Sequence, residues 1–150
     1  MELELAGKAI LKNLNVRREN HGEETKLGVD LKLVLSTDLN ALACFSPTLR
    51  AFLYKEKREE KPLLKEPHLC PLRFDHKAEN HMLTIGQQHT HNNVTINDFE
   101  IVPEELGAIE ITMKVSMSDV PPDILPELAD FLLAQVIEID IEPMQESLLK

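Results

Sequence analysis

Apolar and polar residues alternate along several stretches of the chain, and a period of two is typical of a β-strand with one buried face. The clearest stretches are residues 29–35, 109–117 and 136–142, while the segment MELELAGKAIL at residues 1–11 alternates less regularly. We predict a strand for each of them. Weaker patterns predict further strands at residues 11–16, 71–77, 81–86 and 96–101, with turns at residues 19–24, 77–80 and 102–105.

Two heptapeptides have the spacing of a helix instead. PTLRAFL at residues 47–53 and PELADFL at residues 126–132 both place apolar residues at positions i, i+3 and i+4, which lie on one face of an α-helix. The residues on these faces are Leu49, Phe52, Leu53, Leu128, Phe131 and Leu132. The pattern predicts two short helices, each with one buried face.

The order of these patterns indicates an internal repeat. The two heptapeptides begin 79 residues apart, and strand and turn patterns precede each of them in the same order. We therefore predict two related strand-strand-helix-strand units at about residues 8–77 and 93–142, with a central hairpin strand at residues 81–86. The alternative is that two amphipathic helices share a leucine and phenylalanine stripe by chance.

The length and composition fit one folded domain. A chain of 150 residues with 43% hydrophobic residues can bury roughly 70% of the surface of its unfolded form. Because neither unit can bury its sheet face alone, we predict a single α+β domain over residues 1–150. In it, the two units pack about a pseudo-twofold axis with a mostly antiparallel sheet. No run of residues is long and apolar enough to predict a membrane span.

The start of the chain and the cysteines predict a cytoplasmic protein. Glu2 and Glu4 interrupt the first leucines, and no cationic start precedes them, which is unlike a secretory signal. Cys44 and Cys70 form no CxxC motif, and two isolated cysteines favour reduced thiols. A single disulfide between them remains an alternative.

The net charge of −10 is concentrated in one part of the chain. Residues 1–60 carry ten basic and ten acidic side chains, residues 61–92 carry four and three, and residues 93–150 carry two and thirteen. The last third therefore has a charge of −11, which repels phosphate backbones and attracts cationic surfaces. We expect no direct binding to nucleic acid and predict a protein partner with a basic surface.

The acidic side chains of the last third provide the candidate binding residues. Glu127 and Asp130 lie on the second predicted helix, and Glu138, Asp140 and Glu142 share the polar face of the last predicted strand. Our leading interpretation is a non-enzymatic protein-interaction module that docks through these residues on a basic surface of its partner. A narrower version is an inhibitor that occupies a nucleic-acid-binding site. The simpler alternative is that the charge only maintains solubility.

In size and acidity, the chain resembles small accessory and inhibitor proteins encoded by bacterial viruses. The resemblance covers the whole chain in general character, and no motif carries it. It implies an accessory or inhibitory role, and no site residue is transferred with it.

The histidines offer a second interpretation, a small metal-dependent enzyme. The candidate ligands are His76, His81, His89 and His91, with Asp75 or Cys70 to complete the three or four ligands that zinc requires. The ordinary interpretation is a polar loop at residues 87–93 with exposed imidazoles. No phosphate-binding glycine motif, nucleophile elbow or zinc signature occurs in the chain, so we predict no cofactor.

A structural role is a third interpretation. Exposed strand edges can pair two copies of a chain, so a homodimer or a structural homo-oligomer is an alternative. The charged segment at residues 54–67 is predicted as an exposed connector.

Overall fold

The computed structural model describes residues 1–55, 63–66 and 71–144, and most of this part of the chain is β-strand. The strands are β1 Leu5–His21, β2 Glu24–Asp38, β3 Tyr54–Lys55, β4 Leu63–Leu64, β5 Leu72–Phe74, β6 Ala78–Ile85, β7 His89–Pro103, β8 Ala108–Met117 and β9 Ile137–Pro143. The α-helices are α1 Leu49–Leu53 and α2 Leu125–Leu133, and short 3₁₀ helices occur at Leu39–Cys44, Glu105–Gly107 and Pro122–Ile124.

The main sheet closes on itself. Its strand order is β5-β7-β6-β9-β1-β2-β8, and β7 pairs with β8 as well as with β6. Six strands therefore form a continuous ring, and every strand pairing in the described residues is antiparallel. Closure leaves the ring with an inner face shielded from water and an outer face in contact with it.

The inner face forms the hydrophobic core. The alternating apolar residues of β2 are completely buried, and those of β8 and β9 are buried or nearly so. These residues are Val29, Leu31, Leu33, Leu35, Ile109, Ile111, Met113, Val115, Met117, Ile137, Ile139 and Ile141. The strands predicted at residues 29–35, 109–117 and 136–142 are thus confirmed. Their apolar sides meet in a single cluster because the sheet is closed.

Local irregularities help the sheet to curve. β1 contains a register shift between Leu11 and Asn13, and β7 contains another between Asn97 and Glu100. Such bulges bend a strand and increase its twist, as closure requires. Gly7 permits a close approach, because a Cβ atom at this position would lie only 2.8 Å from the carbonyl oxygen of Ser36.

The two helices lie at opposite ends of the closed sheet. Asp38 at the end of β2 pairs with Ala108 at the start of β8, so the chain leaves these antiparallel strands in opposite directions. α1 follows β2, and α2 follows β8. At the α1 end, the Tyr54 hydroxyl donates a hydrogen bond of 2.6 Å to the carbonyl oxygen of Glu104. Burial raises the pKa of Tyr54 to about 12, so this hydroxyl remains a donor.

α2 covers the other end through one buried stripe. Leu128 is buried, and the Phe131 ring packs edge-on against His89 with ring centroids 6.1 Å apart. The preceding connection is held by a hydrogen bond of 2.8 Å from the Val120 N–H to the carbonyl oxygen of Leu27. The helix therefore shields the core where the ring of strands would otherwise open to water.

The predicted α+β fold with two strand-strand-helix-strand units is wrong. One large antiparallel sheet contains the long strands, and β2 pairs directly with β8 across the proposed boundary between the units. The heptapeptide helices also differ, since α1 has five residues and α2 has nine. Phe52 is 69% exposed, whereas Phe131 packs against the core. The similar sequences of the two heptapeptides therefore do not form equivalent buried helix faces.

Several local predictions also differ from the structure. The loop predicted at residues 87–93 is wrong because β7 begins at His89, and the turn predicted at residues 77–80 is wrong because β6 begins at Ala78. Both stretches are strongly polar, so their alternation is weak in the sequence. The charged connector predicted at residues 54–67 lies largely outside the described residues.

A charged network joins the β1–β2 hairpin to the connection after β8. Glu19 accepts hydrogen bonds from the Arg17 guanidinium, the Ser118 hydroxyl and the Asp119 N–H, and Arg17 also donates to Asp30. Partial burial by itself raises the pKa of Glu19, but these hydrogen bonds, with Arg17 first among them, outweigh burial and lower the pKa to about 2. The network therefore favours the ionised carboxylate and fixes the path of the chain toward α2.

We expect Glu19→Gln to lower the free energy of unfolding by about 2 kcal/mol at neutral pH. This value is smaller than the pKa shift alone would give, because the Glu19 side chain is partly exposed and solvent screens its interactions. The wild-type protein gains this stability above the usual carboxyl pKa of 4.5 and loses it as the pH falls toward about 2. Urea unfolding between pH 2 and pH 7 measures both effects. The control Glu23→Gln, at an exposed position of the same hairpin, should behave like wild type. Equal stability of the two variants would contradict this role for Glu19.

Candidate functional site

The outer face of β9 carries three carboxylates in a row. Glu138, Asp140 and Glu142 are exposed and alternate with buried isoleucines. The central one, Asp140, lies between Ala6 of β1 and Thr84 of β6 in the sheet register. Both of these directly opposite neighbours are uncharged, and the nearest cation on β1 is Lys8, which lies opposite Glu138.

The first residues of the chain extend this row into a groove. Glu2 and Glu4 line an open groove of about 760 Å³ together with Asp140 and Glu142, and we call these four residues the acidic groove. In the described part of the chain, no cationic side chain forms an ion pair with any of the four. The acidic groove therefore presents four exposed carboxylates that have no ion-pair partner among the described residues.

Glu138 lies next to the acidic groove and is more constrained. It accepts a hydrogen bond of 2.8 Å from the Gln87 amide and faces Lys8 across the β1–β9 register. No ion pair joins Glu138 to Lys8 in the structure. Glu138 therefore contributes to the negative charge of the β9 row, and its hydrogen bond with Gln87 restrains its side chain.

The two candidate residues on α2 occupy a different place. Glu127 lies 2.9 Å from the His89 imidazole, and Asp130 is exposed near the end of the helix. Neither residue lines the acidic groove. The structure therefore groups Asp140 and Glu142 with residues from the start of the chain, and it leaves Glu127 and Asp130 on the helix that covers the sheet.

The histidines do not come together as a metal site. His89 contacts Glu127, the Nε2 atom of His91 lies 3.2 Å from the carbonyl oxygen of Ser118, and His76 is exposed near Phe74. Among the described residues, no group of three or more histidine, cysteine, aspartate or glutamate side chains could hold a metal ion. Cys70 lies outside these residues. The geometry gives no support to the metal-dependent enzyme.

His81 instead anchors the first residues of the chain. Its side chain is 1% exposed, its Nε2 atom accepts a hydrogen bond of 2.8 Å from the Leu3 N–H, and its Nδ1–H donates to the carbonyl oxygen of Glu79. Leu3 is fully buried beside it, and Glu2 and Glu4 on either side of Leu3 are exposed. This anchor holds one wall of the acidic groove in place.

Burial lowers the pKa of His81, and the nearby chain amino group acts in the same direction. The hydrogen bond to Glu79 and the charge of Glu2 oppose this shift but do not cancel it. The neutral imidazole fits the hydrogen bonds, because only an unprotonated Nε2 can accept from Leu3.

Sequence reasoning missed Glu2, Glu4 and His81 as parts of one site. A usable signal was present, since Glu2 and Glu4 alternate with Leu3 and Leu5 in the same way as the carboxylates of β9 alternate with isoleucines. The pairing of β1 with β9 could not be inferred from that pattern.

No helix in the described residues is long and apolar enough to cross a membrane.

The buried His81 predicts a loss of stability in weak acid. The unfolded chain binds a proton at this residue below its ordinary pKa of about 6.5, while the folded chain resists protonation. The free energy of unfolding should therefore fall below pH 6.5 by up to about 1.4 kcal/mol per pH unit. Denaturant unfolding between pH 5 and pH 8 measures the slope.

The variant His81→Gln should remove this part of the slope, because a glutamine amide can accept a hydrogen bond but does not titrate in this range. His76→Gln, at an exposed histidine, should retain it. An unchanged slope in His81→Gln would show that other groups cause the pH dependence.

Comparison with known proteins supplies no function that can be transferred to this chain. Comparisons with protein-family models, with curated proteins and with solved structures find no match to this chain. The function therefore has to be inferred from the chemistry of the exposed residues.

Proposed function

We propose that this protein is a non-enzymatic interaction module whose acidic outer face docks on a basic surface of a partner protein. The observation that carries the proposal is the row of Glu138, Asp140 and Glu142 on β9, extended by Glu2 and Glu4. The partner would present lysine or arginine side chains to this row.

The spacing of the carboxylates supports this interpretation. Alternate residues of a strand are about 7 Å apart, which is less than the screening length of about 8 Å at physiological ionic strength. The potentials of neighbouring carboxylates therefore add at the surface. Such a surface accelerates encounter with a cationic partner and rejects anionic ones.

The rigidity of the site is a second argument. The three β9 carboxylates lie on a strand that is paired on both edges, with β1 on one side and β6 on the other. A surface on a sheet keeps its charges in place without the ordering entropy that a flexible acidic tail loses on binding. The proposal thus concerns a preformed docking face.

A narrower form of the proposal is an inhibitor that occupies a nucleic-acid-binding site of its partner. It is supported by the same sign of charge, since a regular row of carboxylates presents a line of anions, as the phosphates of a nucleic-acid strand do. In this case the partner should bind either the protein or a nucleic acid, and the two should compete.

The test uses affinity capture from the native host, followed by purification of the retained partner and measurement of its affinity. We expect the triple variant Glu138→Gln, Asp140→Asn, Glu142→Gln to bind this partner at least roughly tenfold more weakly, because the charged contacts are lost. Raising the salt concentration should also lower the affinity of the wild-type protein for this partner, because salt screens the charged contacts.

A matched control removes three exposed carboxylates elsewhere, in the variant Glu23→Gln, Glu66→Gln, Asp123→Asn. It changes the net charge equally and should retain the affinity of the wild type. A partner that binds independently of salt, or that binds the β9 variant and the control equally, would contradict the proposed function. Addition of duplex DNA as a competitor tests the inhibitor form separately.

A further inference from the structure

Four apolar side chains are exposed where α2 ends and β9 begins. Leu133 is 86% exposed and Val136 is 52% exposed, with Leu132 and Ile10 at 39% and 38%. We call these four residues the apolar patch. Single exposed apolar residues are common on proteins, so the patch has meaning only if its members are adjacent.

The chain path places them together. Leu133 is the last residue of α2, and Val136 follows only three residues later, which limits their Cα separation to about 11 Å. Ile137 pairs with Ala9 at this end of the antiparallel β1–β9 ladder. Val136 on one strand and Ile10 on the other are the residues immediately beyond this pair, so they lie near each other. The patch thus lies on one small area at the start of β9.

The core does not require these side chains. The buried stripe of α2 is provided by Leu128, with Phe131 packed against His89. Leu132 and Leu133 lie outside this stripe and add apolar surface that the helix leaves in water. Covering them would remove an unfavourable exposure without disturbing the cover that α2 forms over the sheet.

Carboxylates lie on two sides of the apolar patch, and Lys8 lies beside Ile10 on the β1 side. Asp130 is exposed on α2 one turn before Leu133, and Glu138 is exposed on β9 two residues after Val136. The row of β9 carboxylates continues from Glu138 away from the patch. The patch therefore lies at one end of the proposed docking face, with Glu138 on the side of β9, Asp130 on the side of α2 and Lys8 on the side of β1.

This charge arrangement favours a basic partner over a second copy of the chain. A twofold contact through the patch would bring two carboxylates of each copy, Asp130 and Glu138, to the same interface with Lys8 as the neighbouring cation, in a protein whose net charge is already −10. Like charges brought together in an interface oppose association. A partner with lysine or arginine next to an apolar side chain would satisfy both parts of the surface.

We infer that the apolar patch is the anchoring subsite of the docking face and receives an apolar side chain that is flanked by basic residues in the partner. The inference rests on the proposed function, because the β9 carboxylates would attract the same segment. Exposed charges mainly set the rate and the selectivity of encounter, whereas a few residues that become fully buried give most of the affinity at an interface. The two surfaces would therefore act together.

Two synthetic peptides test the inference. One is a lysine-rich peptide with a central pair of leucines, and the other has the same lysines with serines in place of the leucines. Fluorescence anisotropy measures the affinity of each. We expect the wild-type protein to bind the leucine peptide about tenfold more tightly, since burying one leucine supplies at least that factor.

The double variant Leu133→Ser, Val136→Ser should lose this preference and still bind both peptides in a salt-dependent way. Phe52→Ser, which removes a 69% exposed apolar side chain at the opposite end of the sheet, is the control and should keep the preference. Leu133→Ser alone provides a milder variant if the double variant unfolds at a lower temperature. NMR shifts on titration with the leucine peptide should map to residues 132–138 and to Ile10.

The outcomes separate the two proposals. If the wild type binds both peptides equally and the β9 triple variant weakens both, the anchoring subsite is wrong and the proposed function stands. If neither peptide binds, both proposals fail. If light scattering shows a dimer that Leu133→Ser dissociates, a second copy covers the patch and the inference is overturned.

Discussion

The pairing of β7 with both β6 and β8 is the constraint on which the rest of the structure depends. Without this double pairing, β8 would form an open edge, and the apolar faces of the long strands would be exposed to water. With this double pairing, the inner side chains form one hydrophobic cluster, and the outer side chains of the same strands remain exposed to solvent. The bulges of β1 and β7 serve the same end, because a ring of six strands must bend to close.

Pairing between distant strands also creates the acidic groove. In the sequence, Glu2 and Glu4 are far from Asp140 and Glu142, and only the pairing of β1 with β9 brings them to one groove. The buried hydrogen bond between Leu3 and His81 completes this arrangement by fixing the chain before β1 begins. The core and the proposed docking face are therefore formed by opposite sides of the same strands. A substitution that destabilises the core should also change the arrangement of the residues on the docking face.

The proposed docking face combines two kinds of surface with different physical roles. The carboxylates of β9 act over several ångströms and are weakened by salt, whereas the apolar patch acts only in contact and is insensitive to salt. Their proximity follows from the chain path, since Val136 and Glu138 lie on either side of Ile137 at the start of β9. The helix α2 contributes to both surfaces while its Leu128 side is committed to the core.

Alternation in the sequence by itself determined the strands at residues 29–35, 109–117 and 136–142 and the shared outer face of Glu138, Asp140 and Glu142, because a period of two is a local property of an extended chain. It also led to the wrong α+β repeat, since two similar heptapeptides say nothing about which strands pair. The register between distant strands, the closure of the sheet, the burial of His81 and the joining of Glu2 and Glu4 to β9 were decided only by the tertiary structure. Those features depend on hydrogen bonds between strands far apart in the chain, and neither the spacing of residues nor their composition records them.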